Sequence, residues 1–61
     1  MQVLTKENAA TVKSIRNINN PSWGVQKFNY RPGGFSSFGV GADSAVIHEG
    51  EFKFWEVIET K

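Results

Sequence analysis

The spacing of apolar residues changes near residue 22. Before that point Ala9, Val12, Ile15 and Ile18 recur three apart, which on a helix places them on one face. Thr5 stands where an N-cap belongs, and Glu7 falls in the first turn, where the helix dipole favours acid. Leu4 is placed to staple onto Ala9. The run Asn17-Ile18-Asn19-Asn20-Pro21 ends the segment, because asparagine favours turns and proline bars continuation. The spacing predicts a helix over 6–17. Thr11, Val12 and Ile15 are β-branched, so the alternative is a strand over Thr11–Arg16.

After residue 22 the pattern is that of strands and turns. Trp23–Tyr30 reads as an aromatic strand whose apolar parity slips, from Trp23 and Val25 to Phe28 and Tyr30, which predicts a bulge or a bend. In Arg31-Pro32-Gly33-Gly34, proline pre-sets its own φ and Gly33 supplies the positive φ of a type II turn. Phe35–Val40 returns as the partner strand. Ala42-Asp43-Ser44 makes a second turn, Ala45–His48 a short strand and Glu49-Gly50-Glu51 a tight connection. Lys53–Glu59 is the last strand, apolar on both faces through Trp55 and Val57 and through Phe54 and Ile58.

The expected fold is a single β-dominated α+β mini-domain over 1–61. A helix at 6–17 precedes a curled antiparallel sheet over 23–59, and a short first strand at Gln2–Leu4 pairs with the last. The alternative is an open antiparallel sheet with the helix on one face. The expected core is Val12, Ile15, Val25, Phe28, Phe38, Val46, Phe54 and Val57.

The segment Ser44-Ala45-Val46-Ile47-His48-Glu49-Gly50-Glu51-Phe52-Lys53-Phe54-Trp55-Glu56-Val57 resembles the late part of SH3-like small barrels. There a short strand ends in a valine–histidine–glutamate–x–glutamate–leucine phrase, followed by a 3-10 turn and the last strand. Phe52 takes the leucine place, and Gly50 stands where serine is usual. The resemblance covers about a quarter of the chain and implies a five-stranded SH3-like barrel. The early ALYDY-type segment is missing, so the proline-peptide activity of true SH3 domains is not implied.

Composition narrows the function. At 61 residues and 6.8 kDa there is room for one core, and a domain this small buries only about 60% of its unfolded surface. Cysteine is absent, which removes disulfides, thiolate zinc sites and thiol catalysis. The aromatics (two Trp, one Tyr, five Phe) all lie between Trp23 and Trp55. So small an interior cannot hold them all, so an aromatic surface for a partner or for self-association is expected. No apolar run has the length of a membrane span, and the N-terminus lacks the pattern of a signal peptide, so a cytoplasmic protein without a membrane partner is expected.

Candidate chemistry is sparse. His48, the sole histidine, and Glu49 would point to opposite faces of a strand. Asp43, Glu49 and Glu51 lack the spacing of a calcium loop, and Ser36, Ser37 and Ser44 have no base in sequence reach. Gly33-Gly34 and Gly39-x-Gly41 lack the lysine of a phosphate loop. No enzyme, metal or cofactor is expected.

The charges are unevenly divided. Residues 1–32 carry five cations against Glu7, net +4, and residues 33–61 carry Lys53 and Lys61 against five acids, net −3. Aromatics and arginine are the residue types enriched at binding hot spots. The expected function is a non-enzymatic protein-binding module, with Trp23, Tyr30, Phe35 and Trp55 as anchors and Lys27 and Arg31 at the rim. Beginning at Met1, the chain reads as free-standing, and its size fits regulators, inhibitors or adaptors of bacteria or their phages. The alternative is a single-stranded nucleic acid or RNA binder, using Lys13, Arg16, Lys27 and Arg31 for phosphates and the neighbouring aromatics for bases.

Overall fold

A computed structural model describes residues 2–39, 41 and 44–61. It contains five strands: β1 (Val12–Asn17), β2 (Gln26–Asn29), β3 (Ser36–Phe38), β4 (Ala45–Ile47) and β5 (Trp55–Thr60). They form one antiparallel sheet in the order β4-β3-β2-β1-β5. Short 3-10 turns lie at Ala9–Thr11, Pro21–Trp23 and Glu49–Phe54.

The helix expected over 6–17 is not formed. Its start is nevertheless present: the Asn8 side chain accepts from the Thr5 backbone N–H at 2.8 Å, and Thr5 Oγ1 accepts from the Asn8 N–H at 3.1 Å. One turn follows, and the chain then straightens into β1 against β5. The register of β1 on β5 shifts between Val12 and Ser14 and again between Ser14 and Ile15. These irregularities let Val12, Ser14 and Ile15 all be buried, although strict alternation would expose one of each adjacent pair. A bulged strand thus reproduces the three-residue spacing of a helix face.

The short N-terminal strand is found in part. Val3 bridges Glu56, the Leu4 N–H donates to the Trp55 carbonyl, and the Val57 N–H donates to the Gln2 carbonyl. Residues 2–4 therefore lie along the side of β5 that faces away from β1. Asn8 fastens them through its side-chain N–H to the Val3 carbonyl.

The turn after β2 forms as read, with Gly33 at φ +77° and the Gly34 N–H bonded to the Arg31 carbonyl. β2 begins only at Gln26, because Pro21–Trp23 forms a 3-10 turn and Gly24 then takes φ +77°. Trp23 is outside the strand, which accounts for the parity slip. The expected turn at Ala42-Asp43 lies outside the described residues.

Leu4, Ala9, Val12, Ile15, Phe28, Ile47, Phe52 and Trp55 form the buried core, and Tyr30, Phe38 and Val57 pack against it. Phe28 and Phe52 meet edge to face, with centroids 5.9 Å apart. Three expected core residues are exposed instead: Val25, Val46 and Phe54. In β4, Ile47 turns in and Val46 turns out. In the turn before β5, side chains three apart eclipse, so Phe52 and Trp55 share the inner side and Phe54 is left outside.

Candidate functional site

The exposed aromatic surface is organised around a shallow open hollow of about 280 Å³. Phe38, Ile47 and the buried Trp55 supply its floor, and Trp23, Val46 and Phe54 rise around it as exposed apolar walls. Trp55 is central to the floor. Its ring centroid lies 4.5 Å from that of Phe38 and 6.4 Å from that of Trp23.

The loop carrying Trp23 is built, not loose. Asn17, at the end of β1 and itself buried, accepts through Oδ1 from the Asn19 N–H, the Asn20 N–H and the Asn20 side-chain amide. Pro21 starts the 3-10 turn, the Trp23 N–H bonds to the Asn20 carbonyl, and Gln26 donates to the Trp23 carbonyl at 2.7 Å. Trp23 is nevertheless 55% exposed. A large ring held by a structured backbone yet left half in water is presented to solvent rather than packed. Asn17, Asn19 and Asn20 line one part of the hollow, and Glu51 another.

Of the expected anchors, Trp23 is a wall of this hollow. Trp55, only 4% exposed, serves as its floor and not as a projecting contact. Tyr30 is half-buried against the core. Phe35 lies elsewhere, 5.6 Å from the His48 ring, in a second shallow hollow of about 300 Å³ with Gly33, Gly34 and Glu49. Lys27 and Arg31 do not line the first hollow. Lys27 faces Ser14 across β1 and β2, and Arg31 runs beside Gly34 in the turn. The expected basic rim is therefore not assembled there. The sequence pattern places Phe54 and Val46 in the core, and Asn19 and Asn20 only in a turn. The signal in the sequence is the run Asn19-Asn20-Pro21 set just before Trp23, and it does not extend to Phe54 or Val46.

Comparison with family models, curated proteins and solved structures finds no match.

The basic residues of the nucleic-acid alternative are divided. Lys13 and Lys27 are exposed, but Nε and Nη2 of Arg16 both contact Oε1 of Glu56. In the second hollow, His48 Nδ1 accepts from the Gly50 N–H and Glu49 lies 3.8 Å from Lys6 Nζ. Among the described residues, no hydroxyl side chain lines that hollow beside the imidazole. Among the described residues, no group of three or more His, Cys, Asp or Glu side chains gathers as a metal site, and no helix is long and apolar enough to cross a membrane.

Proposed function

We propose that this chain is a small non-enzymatic protein-binding module of SH3-like barrel type, which docks a partner polypeptide on the Trp23–Phe54 hollow. The barrel reading is supported by the strand order, the 3-10 turn between β4 and β5, and residues 2–4 beside β5. The binding reading rests on one observation: Trp23, Phe54 and Val46 are exposed around a floor of buried and half-buried rings. Rigid aromatics around a shallow depression are the usual composition of an interface hot spot. Burying them on a partner recovers apolar area that folding left in water.

The nucleic-acid reading has weaker support, because Arg16 is committed to Glu56 and a carboxylate, Glu51, lines the aromatic hollow. A polyanion would approach that wall against its charge.

The test uses three variants, Trp23→Ala, Phe54→Ala and Phe35→Ala, each checked for native circular dichroism. Tagged forms are exposed to lysate of the encoding organism with and without nuclease. A discrete protein retained by the parent and by Phe35→Ala, but lost from Trp23→Ala and Phe54→Ala, supports the proposal. Retention by all three variants, or loss on nuclease treatment, overturns it.

A further inference from the structure

Building on the docking reading, we infer that the hollow receives an arginine side chain of the partner polypeptide. Its polar lining is rich in acceptors. Glu51 makes no ion pair or side-chain hydrogen bond among the described residues. The Asn20 side-chain amide nitrogen donates to Asn17, and the Asn20 side-chain oxygen Oδ1 accepts no hydrogen bond among the described residues. The Asn19 side chain makes no hydrogen bond among the described residues, so its carbonyl is also available. The remaining lining is largely aromatic, with Trp23, Phe38, Phe54 and Trp55 around one depression.

A guanidinium answers all of these features together. It is planar and stacks on rings, it has five N–H donors and no acceptor, and it rides on an apolar stem. Cations are attracted to ring faces, and this cluster already holds one: Lys53 Nζ lies 5.3 Å from the centroid of Phe54. A purely apolar side chain would cover the floor but leave Glu51 and the asparagine oxygens short of water without a donor in exchange. An acidic side chain would meet Glu51 directly. Lysine satisfies the charge but presents a compact, strongly hydrated head that does not stack. Glu51 is the one charged residue that lines the hollow among the described residues, so the charge complement it asks for is a single cation.

The test is an NMR titration of the ¹⁵N-labelled 61-residue chain with acetyl-Gly-Arg-Gly-amide. The same peptide with citrulline, which keeps the shape and removes the charge, and with norleucine serve as comparisons. The arginine peptide is expected to shift the Trp23 and Trp55 indole N–H signals saturably, with a Kd on the order of millimolar. The citrulline and norleucine peptides are expected to bind about two- to fivefold more weakly, as for loss of one exposed ion pair. Glu51→Gln, with a native-like spectrum, should bring arginine down to the level of citrulline. Equal binding of norleucine at the same indoles overturns the inference while leaving a docking hollow in place. Absence of any saturable indole shift with arginine also overturns it. Failure of the docking reading shows separately, as partner capture that survives Trp23→Ala and Phe54→Ala.

Discussion

Trp23 and Trp55 stand with ring centroids 6.4 Å apart and planes tilted by 45°, one ring more than half exposed and the other buried. They belong to one aromatic group but have opposite duties. Trp55 starts β5, pairs with Asn17 across the sheet and closes the core, whereas Trp23 rides on a turn outside any strand.

That division sets the first expected outcome. Trp55→Ala removes a buried ring at a cost of about 3–5 kcal/mol, which matches the whole stability of about 3–5 kcal/mol that a core this small supplies. With little stability left, about half of the variant or more should be unfolded. Trp23→Ala forfeits little beyond its contact with Trp55, about 1 kcal/mol. Urea unfolding followed by far-UV circular dichroism separates the two; equal losses would mean that both rings are structural.

Asn17 is the hinge post of the Trp23 loop. Asn17→Ala leaves the N–H groups of the exposed Asn19 and Asn20 to water in place of their acceptor, at a cost of about 1 kcal/mol. Hydrogen exchange at those two amides should accelerate more than exchange in β2 and β3. Uniform acceleration would show instead that the side chain supports the sheet as a whole.

Asn8 joins the Thr5 turn to the N-terminal segment. Asn8→Ala should cost about 1 kcal/mol, as for loss of a capping side chain, because the Thr5 N–H loses its acceptor while the Asn8 N–H keeps Thr5 Oγ1. It should also free residues 2–4, because the bond to the Val3 carbonyl goes with it. Faster exchange of the Leu4 and Val57 amides, which bond across that segment, is the measurement.

Across β1 and β5, Arg16 and Glu56 pair with Arg16 partly exposed and Glu56 mostly covered. A double-mutant cycle on Arg16→Ala and Glu56→Ala should give a coupling of about 1 kcal/mol. The coupling should shrink in molar salt, where the Debye length falls to about 3 Å. Coupling that does not respond to salt would mark packing of the arginine stem instead.

Much of the sheet was legible in sequence because its punctuation is strong. Pro32 and Gly33 fix the turn after β2, and apolar strand residues recur on both sides of it. The helix-like pattern over 6–17 has a specific physical source. Thr5 and Asn8 do form a cap-like pair, and the bulges in β1 carry Val12 and Ile15 to one side at a spacing that also suits a helix. Which way β1 resolves depends on its pairing with β5, some forty residues away, and local pattern does not encode that partner. The hollow was only half legible. Trp23 stood out as a surplus aromatic, but exchanging Phe54 for Phe52, or Val46 for Ile47, is a one- or two-residue matter of which side faces in. That was decided by the 3-10 turn ahead of β5 and by the register of β4 on β3.

The most direct test of the docking claim places a photoreactive residue on the hollow and, as a control, on the exposed face of β5. Phe54→p-benzoylphenylalanine and Ile58→p-benzoylphenylalanine are irradiated in lysate of the encoding organism, each with and without Trp23→Ala. The expected result is one discrete protein adduct from position 54, absent from position 58 and lost with Trp23→Ala. An adduct from position 58 alone, or one from position 54 that persists without Trp23, would contradict the assignment of the hollow as the binding site.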